Sequence, residues 1–209
     1  MHIAMVVYDR FTALDVVGPY EVLSRLPDVR VDFVAERPGP VRTDTGFLAV
    51  TADKALDEVT RPDIVVVAGG PGTLTQMENP ALLEWLRAAD ATSTWTTSVC
   101  SGSLLLAAAG LLKGRRATSH WGALDVLEKF GAEPTGERVV TDGKYVTAAG
   151  VSAGIDMALA LVGTLAGDEH AQAVQLLIEY DPQPPYDAGS PQKAPAHLVE
   201  EFHTRFSLT

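Results

Sequence analysis

At 209 residues, 46% apolar and 21% charged, the chain is long enough to bury the core of one full α/β domain, and no linker-like stretch divides it. Sixteen Lys and Arg against 27 Asp and Glu leave a net charge of −11, spread along the sequence, which argues against DNA or anionic membrane as a partner. The single cysteine, Cys100, forms no internal disulfide and removes multi-cysteine zinc sites from consideration.

Residues 1–7 carry no basic n-region before an apolar stretch, so they do not read as a signal peptide. The longest apolar run, 104–112, is too short to span a bilayer. A cytoplasmic protein follows as the expectation.

Residues 2–8 form a short apolar run and predict a buried parallel strand. Leu14, Val17, Val22 and Leu23 then follow helical spacing until Pro27. A second strand is expected over 29–35, then a Pro38-Gly39-Pro40 turn and a small hairpin, 41–42 with 47–51, around Thr45-Gly46. Residues 64–68 make a core strand running into Gly69-Gly70-Pro71-Gly72-Thr73, a glycine-dense loop at the carboxyl edge of a parallel sheet, where open α/β folds place their ligands. Leu82, Trp85, Leu86 and Ala89 mark an amphipathic helix.

Residues 94–99 are rich in β-branched side chains and predict a strand, and 101–112 an apolar helix. Beyond them lie a short strand near 116–118, a helix over 122–130, strands around 139–140 and 145–146, and one long helix from about 152 to 178. Residues 181–195 are proline-rich and expected to be extended, and 195–206 fits a short helix. The alternation gives a doubly wound, mostly parallel sheet with helices on both faces, a single domain over 1–209.

Between strand and helix stands Ser98-Val99-Cys100-Ser101-Gly102-Ser103, the layout of a nucleophile elbow, with small residues where the chain doubles back. There Cys100 meets unpaired N–H groups at a helix start, which predicts a thiol pKa well below the ordinary value. A small buried core residue is the other reading of a lone cysteine. Pro71 has no N–H, so Gly70 or Gly72, together with Ser101, are the candidate donors of an anion hole. Asp15, set among Leu14, Val16 and Val17, is either a helix N-cap or a buried acid. His120, before Trp121, is either a site-edge group or a hydrogen-bonded structural histidine. Histidines 2, 120, 170, 197 and 203 show no metal-ligand spacing, and the glycine loop lacks the Lys-Ser/Thr ending of a phosphate loop, so neither metal nor nucleotide cofactor is expected.

The segments Leu14-Asp15-Val16-Val17-Gly18-Pro19, Ala68-Gly69-Gly70-Pro71-Gly72, Thr97 to Ser103, Ala117-Thr118-Ser119-His120-Trp121 and Ala149-Gly150-Val151-Ser152-Ala153-Gly154-Ile155-Asp156 together resemble the ThiJ/PfpI superfamily. Within it the chain looks like the isocyanide (isonitrile) hydratases, the tail from Glu179 to Pro191 included. The resemblance implies a flavodoxin-like three-layer sandwich, a homodimer, a nucleophile at Cys100 and an acid at Asp15 facing it. It implies hydration of isocyanides to N-substituted formamides through a cysteine thioimidate. The family's hydratases often have Thr where this chain has Ser101, and its peptidase-like branch has His there. Two other functions stand beside hydration: glyoxalase or deglycase action on reactive carbonyls, and a ligand- or redox-sensing domain without turnover. A transcription regulator would need a helix-turn-helix module, and about twenty residues after the tail are too few for one.

Overall fold

The computed structural model describes residues 1–206; the last three residues of the single domain expected over 1–209 lie outside them. The chain opens with β1 (His2–Val6), whose residues beyond His2 are all buried, followed by α1 (Ala13–Leu23) and β2 (Arg30–Ala35). The expected hairpin forms from β3 (Gly39–Arg42) and β4 (Ala49–Ala52), antiparallel, with Gly46 at φ +77° in the turn. After the short β5 (Lys54–Ala55) comes β6 (Ile64–Val67), buried at every position, then α2 (Thr73–Gln76) and α3 (Pro80–Asp90).

The start of α3 is written in its sequence. Asn79 is the N-cap, its Oδ1 accepting from the N–H groups of Ala81 (3.1 Å) and Leu82 (3.4 Å), and Pro80 sits where the helix needs no donor. Leu82, Trp85, Leu86 and Ala89 then fall on one face and are buried. Each large one contributes roughly 1.5–3 kcal/mol of transfer free energy, an upper estimate. The Trp85 indole N–H donates to the Val59 carbonyl at 2.8 Å.

The second half runs β7 (Trp95–Val99), α4 (Gly102–Ala108), β8 (Arg116–Ala117), α5 (Leu124–Lys129), β9 (Glu133–Pro134), β10 (Val139–Asp142) and β11 (Tyr145–Ala148). Two helices, α6 (Ala153–Ala166) and α7 (Asp168–Leu177), stand where one was expected over 152–178. The break is Gly167, at φ +90°, a conformation other residues resist, and Asp168 and Glu169 follow it at the new helix start, where the helix dipole favours acids. Residues 181–195 are non-helical and largely exposed. The chain returns as α8 (Ala196–Phe206), whose His203 ring lies 6.0 Å from that of Trp121.

The seven-stranded sheet has the order β10-β11-β7-β6-β1-β2-β5, and every neighbouring pair is parallel except β10 with β11. Helices α1, α6 and α7 pack together in one layer, and α4 packs with α2, α3 and α5 in the other. This is the flavodoxin-like three-layer sandwich. After β1 the chain builds outward to β2 and β5, then returns to place β6 on the other side of β1. Strand order therefore reverses between β1 and β6, and the crevice at their carboxyl ends is the place such folds use for ligands. The residues that end β1, β6 and β7 all reach this edge.

Candidate functional site

At the end of β7 the backbone turns sharply, and Cys100 adopts φ +59°, a left-handed conformation costing roughly 1–3 kcal/mol outside glycine. Surrounding bonds hold it there. The Cys100 N–H lies 3.1 Å from the Ala148 carbonyl and 2.9 Å from that of Ala149, and the Cys100 carbonyl accepts from the hydroxyls of Ser103 (3.2 Å) and Ser119 (3.0 Å). The glycines give the turn its room. A Cβ on Gly102 would stand 2.3 Å from the Val67 carbonyl oxygen, and one on Gly69 would stand 2.5 Å from Ser101 N.

Asp15 is brought to this turn by α1. It lies in the first turn of that helix, but Thr12 holds the N-cap position, so the capping reading fails. Its carboxyl points away from its own helix: Oδ2 accepts from the Gly69 N–H at 2.8 Å, while Oδ1 is buried without a hydrogen bond. The carboxyl is within hydrogen-bonding reach of Cys100, and Asp15 is fully buried. Burial pushes the carboxyl up to about 7, against the pull of the Gly69 N–H and Cys100, with the Asp44 charge adding to the rise.

The thiol behaves differently from the sequence expectation. Burial pushes the Cys100 thiol above its ordinary value, and the Asp15 charge pushes it further; the N–H groups of Ser101 and Val151 only moderate this. The donors at the helix start are present, but the dry environment outweighs them. The two acids share one apolar space, so Asp15 loses its proton first and the thiol resists losing its own.

The candidate anion-hole donors also differ from expectation. The Gly70 N–H is taken by Ser101 Oγ at 3.0 Å, and the Gly72 N–H by the Arg10 carbonyl at 3.2 Å. The donors on the sulfur are those of Ser101 and Val151. Val151 lies in a segment that carries the family resemblance, but its role at the sulfur is not local to it, because it arrives from the loop after β11.

A string of hydroxyls, also unforeseen, backs Ser101. Ser101 Oγ is 2.9 Å from Thr73 Oγ1, which is 2.9 Å from Tyr8 Oη, which donates to the Ala68 carbonyl at 2.7 Å. The available signal was Tyr8, a polar tip two residues past the end of β1 at the ligand-binding edge.

His120 stands to one side. Its Nδ1 accepts from the Gly122 N–H at 3.2 Å, and burial lowers its pKa, favouring the neutral ring. The ring packs on Gly150, where a Cβ would come within 2.9 Å of it, and lines a cleft of about 290 Å³ with Trp121, Pro191 and Leu198. The structure thus brings Cys100, Asp15 and Ser101 together, turns Gly70 and Gly72 to other acceptors, and sets His120 beyond Gly150. Among the described residues no three His, Cys, Asp or Glu side chains are grouped to hold a metal ion.

A sequence model of the DJ-1/PfpI family matches residues 1–164. The chain belongs to the DJ-1/PfpI family. This DJ-1/PfpI chain is 43% identical to an isonitrile hydratase of Pseudomonas putida over 205 residues, 98% of its own length and 90% of the hydratase. It superposes on the crystal structure of a ThiJ/PfpI family protein from Pseudomonas syringae with a TM-score of 0.93, at 41% identity, covering 98% of this chain and 88% of that one. An HTH-type transcriptional regulator of Pseudomonas aeruginosa shares 37% identity over 138 residues, 65% of this DJ-1/PfpI chain but only 40% of the regulator. Among the described residues no helix is long and apolar enough to cross a membrane.

Proposed function

We propose that the protein hydrates isocyanides to N-substituted formamides, acting in the cytoplasm as a homodimer, with Cys100 as nucleophile and Asp15 as the group that moves the proton. The observation that carries this is the Asp15 carboxyl lying within hydrogen-bonding reach of the Cys100 thiol in a buried space, in a chain similar along nearly its whole length to an isonitrile hydratase.

A carboxyl held near pH 7 can both take and give a proton under ordinary conditions. The thiol, held protonated by burial, passes its proton to the Asp15 carboxylate as sulfur attacks the terminal carbon of R–N≡C. Asp15 returns that proton to the same carbon, giving the thioimidate R–N=CH–S on Cys100. Water then adds to the thioimidate carbon. Asp15 accepts one of its protons, the other passes from the adduct's hydroxyl to the nitrogen as the carbonyl forms, and the C–S bond breaks to release R–NH–CHO. The thiolate that leaves recovers the proton from Asp15. The sum is one isocyanide and one water to one formamide, with no cofactor. The Ser101 and Val151 N–H groups stabilise negative charge on sulfur as it forms and departs. His120, across Gly150, borders the cleft on the tail side and contributes shape.

The test is incubation with an aryl isocyanide and, separately, with methylglyoxal, following formamide and lactate by mass spectrometry. The expected result is formamide, with an acid-quenched protein adduct equal in mass to one isocyanide on Cys100. Lactate without formamide establishes the glyoxalase reading instead; neither product leaves the sensor reading.

A further inference from the structure

The hydroxyl string behind Ser101 has a fixed sense. Tyr8 Oη carries one proton, and its contact with the Ala68 carbonyl, at 2.7 Å, can be made only by donating, since a carbonyl oxygen has no proton to give. Tyr8 is therefore the acceptor in its 2.9 Å contact with Thr73, and the Thr73 proton points to it. With that proton committed, Thr73 Oγ1 is the acceptor in its 2.9 Å contact with Ser101, and the Ser101 proton points to Thr73. The alternative acceptor, the Gly70 carbonyl at 3.4 Å, also lies on the loop side. One lone pair of Ser101 Oγ is occupied by the Gly70 N–H at 3.0 Å. What remains on the side of Cys100, the preceding residue, is a lone pair.

We propose that Tyr8 and Thr73 are positioning residues that aim the Ser101 proton away from Cys100 Sγ, so that Ser101 presents an acceptor to the reacting centre. The proposal rests on Cys100 as the reacting group and is independent of which substrate it attacks. Ser101 Oγ then accepts from the resting thiol or from the attacking water and gives no hydrogen bond to the thiolate. A thiolate without that donor is scarcer but more nucleophilic, because a hydrogen bond to sulfur ties up the electron pair that attacks. The charged group facing the sulfur, Asp15 from α1, acts in the same sense, while the buried Tyr8 hydroxyl stays neutral.

The sense of the chain can be read without any isocyanide. Cys100 is the only cysteine, so the pH profile of its alkylation by iodoacetamide, followed by intact mass, reports the thiolate fraction independently of the thiolate's nucleophilicity. Tyr8→Phe removes the acceptor of Thr73, which turns its proton to Ser101 and frees the Ser101 proton for sulfur. Thr73→Val frees the Ser101 proton directly. Both should raise the thiolate fraction by about tenfold, one hydrogen bond to a charged group being worth roughly that. Ser101→Ala alone should leave the fraction near its native value, and Tyr8→Phe with Ser101→Ala should return it there. A thiolate fraction that drops several-fold in Ser101→Ala means that Ser101 donates to sulfur in the native protein, and overturns the proposal. So does a native-like fraction in folded Tyr8→Phe and Thr73→Val. Formamide production is measured separately; its absence bears on the substrate, and leaves the alkylation result to decide the hydroxyl string.

Discussion

The carboxyl of Asp15 and the thiol of Cys100 meet in a buried space, one carried by the first turn of α1 and the other by the elbow after β7. Of the two carboxyl oxygens, one is held by the Gly69 N–H and the other is buried without a hydrogen bond. A carboxylate left in this state is costly, and a neutral carboxyl much less so. The folded protein therefore holds a proton on Asp15 that the unfolded chain gives up near pH 4.

Stability should decline as pH rises from about 4 to about 7, the interval in which the native state binds the extra proton, by an amount on the order of a few kcal/mol from this residue. Asp15→Asn should remove most of that slope and be the more stable protein at about pH 8. Urea midpoints of both proteins at several pH values check it. A constant difference between them across the interval would show that the carboxyl is not perturbed.

Turnover should vanish in Cys100→Ala and fall by about a hundredfold or more in Asp15→Asn, because the amide can neither take the thiol proton nor return one to carbon. Steady-state formamide production measures both. In Asp15→Asn the thiol should also alkylate faster at alkaline pH, since the charge that opposes its ionisation is gone. Loss of turnover with gain of thiolate separates proton transfer from simple exposure of the sulfur.

Cys100 sits at φ +59°, so glycine should relieve strain there that alanine keeps. Cys100→Gly is expected to be about 1 kcal/mol more stable than Cys100→Ala. Thermal or denaturant melts decide it, and equal stabilities would mean that the elbow relaxes when the sulfur is removed.

Gly69→Ala should destabilise the fold by roughly 1–3 kcal/mol and abolish turnover, because its Cβ would lie 2.5 Å from Ser101 N and 2.9 Å from Cys100 Cβ. Gly189→Ala, in the tail with nothing within 4 Å of the new methyl, should change stability by less than about 0.5 kcal/mol. Paired denaturant curves test the contrast.

Leu176 and Leu177, at the end of α7, and Tyr186, in the tail, are 81%, 70% and 81% exposed in the single chain. Such side chains close together in sequence fit a surface that a second copy covers. Light scattering at micromolar concentration should give a dimer, and Leu176→Asp with Leu177→Asp should shift it towards monomer. A monomeric native protein would count against the dimer.

What could be read from the sequence was whatever depends on neighbours along the chain. The elbow showed itself because Ser98 and Gly102 flank Cys100 within one turn, and α3 because its cap and its buried face lie in a single stretch. Of the hydroxyl string the sequence offers only the polar tip of Tyr8, since Tyr8, Thr73 and Ser101 meet only when β1, α2 and the elbow assemble. The Gly72 N–H looked free because its partner, Arg10, is sixty-two positions away in the chain (72 − 10). The thiol pKa was misread for a related reason: helix-start donors are local, while burial and Asp15 belong to the folded whole. Gly167 with Asp168 and Glu169 after it is a stop-and-start signal that the continuous helical pattern on either side masks, and its φ reveals the break.

Gly69 ties two histories together. Its missing side chain is required by Ser101 and Cys100, and its N–H is what holds Asp15, so one position answers to both members of the proposed proton-transfer pair. A lineage that gave up the cysteine would lose the reason to keep the acid, yet the glycine would stay constrained for as long as the elbow backbone did. Across diverged descendants, loss of chemistry should therefore be recorded first at positions 15 and 100, while position 69 continues to report the ancestral turn.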